Sequence, residues 1–500
     1  MSKDDEERGA DSGVQRVLAW DDIIYELQDL LANEEQPVYL VGGTVRDAFM
    51  RRPLKDVDMA TPQSGVKLAR KIANLLKGDF YALDAERDVG RVLYESARGK
   101  IIIDVARFRA NNLNSDLLDR DFTINAMAVD IRGDLTALID PLGGERDLSQ
   151  KILRRCSPLS IQHDPIRALR GVRQSVAFNL RIEPETLKDM RASADSLAAV
   201  SPERLRDEFY ALLNLSKGVS ALRIADTLGL LKVIVPELDL LRATAADSAA
   251  GNNALAHTLA TIDQLSQLLA TVSFRRTDET AAQFTLGTVV MTFDRYRRQL
   301  VDHFESTWAN DRPHRALLLL AALLHETGVE TIDSWGIRMR LSSAEIDRLL
   351  TIARHHHRFM EKPFVNAQDT PDLRGIHRYW RDTREAGIDI LFIALASYLA
   401  EKGAALDQDA WLRVIQNGEV LLRAWFDQHD TVINPPPLVD GRSLMKSLAI
   451  PAGRTVGLLL ELIREGQAAG EIITVEDALN FARAYLAGNQ FSQNGLSGGH

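Results

Sequence analysis

The chain of 500 residues contains one cysteine, Cys156, so no internal disulfide can hold it together and a reducing compartment suits it. Cys156 itself reads as a small buried apolar residue. Long hydrophobic runs are also missing. The longest, Ala316–Leu324, is far too short to span a bilayer. Positive charge is missing in bulk, since the formal net charge is −10. That excludes a uniformly basic nucleic-acid coat, but not basic residues gathered locally. Part of the acidity lies in Met1–Asp11, expected to be disordered and unlike a secretory signal. These absences together lead us to expect a cytoplasmic protein with no membrane contact.

What is present begins with Val38-Tyr-Leu-Val-Gly-Gly-Thr-Val-Arg-Asp47, followed by Lys55-Asp-Val-Asp58. An apolar β-type run stops at Gly42 and Gly43, which permit a tight turn and close approach to a ligand. The helix expected next offers unpaired N–H groups suited to phosphate, and Arg46 adds a forked cationic donor. In an extended segment, Asp56 and Asp58 project from one face. Adjacent carboxylates of this kind suit Mg²⁺, and two ions there suit nucleotidyl transfer to a hydroxyl. Either motif alone is usually a turn or a solvated loop. Their order and spacing together raise the phosphoryl-transfer reading above that.

Three further clusters follow. Ile101–Arg107 reads as a buried strand carrying Asp104, a costly carboxylate unless it is paired or binds metal. It is a candidate third acidic catalytic residue, or else the partner of Arg107 or Arg109. In Asp119-Arg-Asp-Phe-Thr-Ile-Asn-Ala-Met-Ala128, Arg120 suits phosphate or ribose, Asp121 suits a cap, and Asn125 suits a sugar hydroxyl. In His163-Asp-Pro-Ile-Arg-Ala-Leu-Arg-Gly-Val-Arg173, Pro165 fits a first helical turn behind Asp164. Arg167, Arg170 and Arg173 wind along that helix. Asp164 with Arg167 can meet the edge of cytosine or adenine, which share a donor–acceptor pattern. Capped elements with surface arginines are the plain alternative for both segments.

Together these motifs resemble the class II tRNA nucleotidyltransferase and bacterial poly(A) polymerase family. Leu40–Asp47, Asp56–Asp58, Arg120–Ala126, Asp164–Arg170 and Ser201–Glu208 carry the resemblance, which is specific from about Val17 to about Leu230. It implies an α+β fold: a polymerase-β-type head built on a mixed sheet, then an all-helical neck, body and tail. It implies addition of CCA, or only CC, to tRNA 3′ ends from CTP and ATP, with Mg²⁺ and no nucleic-acid template. By that resemblance Asp56 and Asp58 bind metal. Gly42, Gly43, Arg46, Arg120 and Asn125 handle the nucleotide, Asp164 and Arg167 read its base, and Arg170 and Arg173 support them. Poly(A) addition is the alternative within the same family.

Three departures bear on that reading. His163 stands where the family usually has an acidic residue, and Asp119 where it often has an arginine. The segment between Arg109 and Asp116 is short, similar to that of CC-adding enzymes, which need a separate A-adding partner.

The expected organisation is a tail at 1–16, a head at 17–155, a neck at 156–240, a body at 241–430, a helical tail at 431–487 and a floppy end at 488–500. Strands are expected at Val38–Val41, Phe80–Leu83, Arg91–Tyr94, Ile101–Ala106 and Leu138–Ile139, with helices almost throughout after Asp164. Asn434-Pro-Pro-Pro437 punctuates the start of the last unit.

The body holds His257, His325-Glu326 and His355–His357. It resembles a degenerate HD phosphohydrolase domain, in which Ser397-Tyr398 occupies the place of the final aspartate. The missing carboxylate argues for a structural domain rather than a hydrolase. Lastly, Arg374, Arg378, Arg381 and Arg384 line one basic helix. That helix either tracks the RNA backbone or packs Ile376 and an aromatic inward with its arginines hydrated.

Overall fold

The computed structural model describes residues 18–54, 56–96, 99–244, 253–273, 284–360 and 371–494. The expected tail at 1–16 lies outside them. The chain divides into two compact units. One runs to Val200 and includes Ile224–Val233; the other comprises Ser201–Arg223 and everything from Ile234 onward. The segment expected as a neck is therefore shared between the two.

The first unit carries a six-stranded sheet. Its strands are β1 (Tyr39–Val41), β2 (Asp56–Thr61), β3 (Asp79–Asp84), β4 (Val89–Ser96), β5 (Gly99–Arg107) and β6 (Ala128–Asp130), in the order β3-β4-β5-β2-β1-β6. Only β2 and β5 run parallel, with Asp58 opposite Asp104; the other neighbours are antiparallel. The inward-facing alternation Val57/Met59 and Ile103/Val105 buries one side of the sheet completely. Against it pack helix α1 (Asp22–Leu31), through Ile24, Leu27 and Leu31, and helix α3 (Gly65–Leu76), through Ile72 and Ala69. Helix α2 (Gly43–Phe49) follows β1 directly, and helix α4 (Leu113–Leu118) follows β5.

The expected strand at Leu138–Ile139 is an isolated bridge from Ile139 to Ala128. Strand β6 fills the place beside β1 instead. After Asp164 the chain is helical apart from two-residue strands such as Arg181–Ile182.

The second unit is helical. Its apolar segment Ala316–Leu324 lies within a wholly buried helix, His314–Leu324, the usual role of so short a run in a globular protein. Beyond the prolines, the helices Gly441–Leu448, Arg454–Ala468 and Val475–Asn494 share a small core of Leu444, Leu459, Ile463, Ala478 and Ala482. The last helix continues seven residues past the expected boundary at 487. No helix among the described residues is long and apolar enough to cross a membrane.

Candidate active site

The turn between β1 and α2 is shaped by Gly42, whose φ of 66° and ψ of −128° disfavour any residue with a Cβ. A Cβ there would come within 3.0 Å of Arg120 Nη1 and 3.3 Å of Asp58 Oδ2. One at Gly43 would meet Arg46 Nη2 and Asp58 Oδ2, each at 3.4 Å. The two glycines thus open the space in which Asp58, Arg46 and Arg120 converge. Thr44 secures the floor, its Oγ1 accepting the Asp58 N–H at 2.7 Å.

Asp56 and Asp58 lie on the same side of β2, Asp56 exposed and Asp58 half-buried. Burial pushes the Asp58 carboxyl above its ordinary value; Arg120 opposes this, while Asp104 and Asp56 add to it. Three carboxylates that raise one another's proton affinity are a site where a cation relieves repulsion. The donor set therefore fits divalent metal ions.

Asp104 is paired, but with neither arginine expected from sequence. Arg91, across the β4–β5 hairpin, grips both its oxygens with Nε and Nη2, each at 2.7 Å. The register Arg91↔Asp104 makes this pair a direct cross-strand neighbour.

The arginines are aimed by buried groups. Arg46 Nη1 donates to Asn125 Oδ1 at 2.6 Å, and its guanidinium stacks 4.2 Å from the Phe178 ring. Asn125 is spent entirely on the protein, its amide nitrogen donating to Asp121 Oδ1 at 2.9 Å and Gln174 Oε1 at 3.0 Å. Instead of meeting a sugar, it positions Arg46. Burial alone would raise the Asp121 carboxyl. Arg170, the Asn125 amide and the Phe122 N–H outweigh that and hold it below the ordinary range. Arg120 is anchored to buried Asp116, with Nη2 at 3.0 Å and Nε at 3.2 Å. Asp116 also accepts the Arg109 N–H at 2.8 Å, which pins the short segment between them.

The helix Ile166–Ala177 begins as expected. Pro165 is helical, Asp164 is extended, and the Asp164 carbonyl accepts the Arg167 N–H at 3.0 Å. Arg167, however, is buried. Its Nη1 donates to the Arg120 carbonyl and to Ser160, and its Nη2 to the Asp119 carbonyl at 2.8 Å. Its Nε lies 4.0 Å from Asp164 Oδ2. Arg170 Nη1 reaches Asp121 at 3.4 Å, and Arg173 is half-buried one turn on. Thr44, Arg91, Asp116, Gln174 and Phe178 were missed by sequence reasoning. Only Asp116 left a signal there, its i, i+4 spacing to Arg120.

In the second unit the basic helix Leu373–Thr383 buries Ile376, His377, Tyr379 and Trp380. Its arginines are neither free for RNA nor merely hydrated. Arg374, Arg378 and Arg381 converge on buried Glu465, with Glu471 and Glu461 taking further arms. Arg384 is exposed past the end of the helix, at φ 48°. His257 Nε2 lies 3.2 Å from Ser397 Oγ, and His325, Glu326 and His356 cluster nearby.

A carboxylate pair beside a glycine turn, faced by aimed arginines on a mixed sheet, defines a nucleotidyltransferase. Residues 38–154 match the poly A polymerase head domain, and residues 179–241 match a probable RNA and SrmB-binding site of polymerase A. The chain belongs to the family of tRNA nucleotidyltransferases and poly(A) polymerases, whose members are metal-dependent. It is 30% identical over 458 residues to the CC-adding tRNA nucleotidyltransferase of Geobacter sulfurreducens, covering 91% of this chain and 92% of that one. It is also 30% identical over 456 residues to the A-adding tRNA nucleotidyltransferase of Deinococcus radiodurans, covering 89% and 95%. The Thermotoga maritima CCA-adding enzyme complexed with tRNA shares the fold, with TM-score 0.57, 20% identity, and 93% and 96% of the two chains covered.

Proposed function

We propose that this chain is a Mg²⁺-dependent tRNA nucleotidyltransferase. It extends tRNA 3′ ends with CCA, or with CC alone, from CTP and, for the full triplet, ATP. The observation that carries this reading is the convergence of Asp56, Asp58, Gly42 and Arg120, in a chain similar end to end to CC-adding and A-adding relatives. Those two relatives are equally similar, so similarity does not choose between their additions. The pinned segment between Arg109 and Asp116 supports CC addition, because a short, hydrogen-bonded loop has little room to rearrange for a second base.

Asp56 and Asp58 would hold the metal ions, which when bound supply Lewis-acid activation of the 3′-hydroxyl and charge neutralisation at the leaving pyrophosphate. The remaining work falls to the chain itself. Gly42 keeps the passage between Asp58 and Arg120 clear for a triphosphate. Arg120, aimed by Asp116, and Arg46, aimed by Asn125, offer forked donors to its oxygens. Arg167 ties the Asp119 and Arg120 carbonyls to the helix that carries Asp164. Its Nε edge, beside the Asp164 carboxylate, is the part that acts with Asp164 on the base. Arg170 and Arg173 brace that helix against Asp121 and its surroundings.

The test is an extension assay on a tRNA lacking CCA and on one ending in CC, each with CTP, ATP or both. Three additions to the first and one to the second establish a complete CCA enzyme. Two additions from CTP, with no A on either, establish a CC-adding enzyme dependent on an A-adding partner. Long A-tails on arbitrary RNA without use of CTP would overturn the proposal in favour of a poly(A) polymerase.

A further inference from the structure

Two clusters of histidine and carboxylate lie in the helical unit, and their hydrogen bonds give them opposite characters. In the first, Asp389 is fully buried and accepts from His303 Nε2 at 2.8 Å, His314 Nε2 at 2.9 Å and Arg348 Nη1 at 2.9 Å. Trp308 Nε1, which can only donate, points at His314 Nδ1 from 3.0 Å. That fixes Nδ1 as the acceptor and places the ring proton on Nε2, facing Asp389. Every polar atom at the centre has its proton, and a metal ion has no lone pair to take from His314.

The second cluster is built the other way. His325 Nδ1 lies 2.9 Å from the Ala322 carbonyl, and His356 Nδ1 lies 2.9 Å from the Ala353 carbonyl. A carbonyl only accepts, so both rings carry their proton on Nδ1 and turn a bare Nε2 inward. A backbone carbonyl orienting the far nitrogen is the usual support of a metal-bound histidine. His356 Nε2 is inaccessible to solvent and has no hydrogen-bond partner among the described residues. His325 Nε2 faces the Glu326 carboxylate at 3.4 Å. Each group offers one ligand atom, and all three atoms lie within 4.8 Å of one another. Both histidines also sit at helix C-termini, after Leu324 and after His355, where the dipole favours a cation. Three electron-pair donors facing one another at the negative ends of two helices need a positive charge between them.

We propose that His325, Glu326 and His356 form a second metal site, separate from the carboxylates of the head. It takes one divalent transition-metal ion of the Zn²⁺ type. Two imidazoles and a carboxylate suit Zn²⁺, with a fourth position left open. Ligands about 2.1 Å from such an ion stand about 3.4 Å apart, so the cluster contracts slightly on loading. The ligand set differs from the one implied by the sequence resemblance. Ser397 supplies no carboxylate and is instead hydrogen-bonded to His257, while His356 provides the third arm. The inference does not depend on the nucleotidyl-transfer reading.

The test uses the full chain carrying Asp56→Asn and Asp58→Asn, stripped with chelator and titrated with Zn²⁺ by calorimetry and with Co²⁺ by visible absorption. The expected result is one ion per chain, with the intense Co²⁺ absorption of a low-coordinate, nitrogen-bound site. His356→Gln and Glu326→Gln are each expected to weaken binding about tenfold or more. Glu326 is surface-accessible, so its variant separates ligation from folding, and circular dichroism checks both. Absence of any stoichiometric ion, which would mean that a proton on His325 holds the cluster, overturns the proposal. So does unchanged affinity in both variants.

Discussion

Asp58 stands directly opposite Asp104 on the parallel strand pair β2–β5, and Arg91 holds Asp104 by both oxygens. The arginine therefore moderates the negative charge felt by the carboxylate at the centre of the site. Arg91→Ala is expected to leave Asp104 uncompensated and raise the Asp58 proton affinity further. The acid limb of the kcat/KM profile should then move to higher pH. A profile whose acid limb stays in place would show that Arg91 does not act through this pair.

Gly42→Ala places a Cβ 3.0 Å from Arg120 Nη1 on a backbone that disfavours it. Expected are a stability loss of about 1–3 kcal/mol and a fall in nucleotide addition of about a hundredfold, a typical cost for displaced positioning groups. Thermal unfolding and single-turnover extension measure the two separately. Asp58→Ala should abolish addition while the chain stays folded.

The basic helix leads to an expectation opposite to the electrostatic one. Because Arg374, Arg378 and Arg381 are committed to Glu465, Arg378→Ala should change tRNA affinity and its salt dependence little. Glu465→Gln should destabilise the C-terminal helices by about 3 kcal/mol, since it strips partners from a buried charge cluster. Filter binding at two salt concentrations and chemical unfolding test the pair of outcomes.

Asp389 is held well below the ordinary carboxylate range. Burial works against that, and His314, His303 and their hydrogen bonds overcome it. A depressed folded-state value means that its contribution is present above about pH 4 and is lost as pH falls below that. Asp389→Asn should cost about 3 kcal/mol at pH 7, and the difference from the parent should shrink on acidification. Denaturant midpoints at pH 7 and pH 3.5 measure it.

The head's layout was legible in the chain because its signals are local. An apolar run ending in Gly42-Gly43, and two aspartates on alternate residues, are properties of neighbouring positions. Asp104 was recognised as a costly carboxylate, but its partner was sought in Arg107 and Arg109. Arg91 lies opposite only because the β4–β5 hairpin pairs in that register. Arg46 and Asn125 meet across 79 residues. No periodicity announces such a pair, so Asn125 was assigned to a sugar rather than to Arg46. The arginines of the basic helix were misjudged for the same reason, since their acidic partners lie some ninety residues further on.

By itself, the sequence determined the class of chemistry, the alternation of buried and exposed strand positions, the glycine turn and the metal-binding carboxylates. Each of these depends on residue type at fixed short spacing. Only the tertiary structure decided which charges neutralise one another. Ion pairs and shared protons depend on distance in space, which strand register and helix packing set. That is why Arg91 rather than Arg107 guards Asp104, why the basic helix faces glutamates, and why one histidine cluster holds protons while the other presents bare nitrogen.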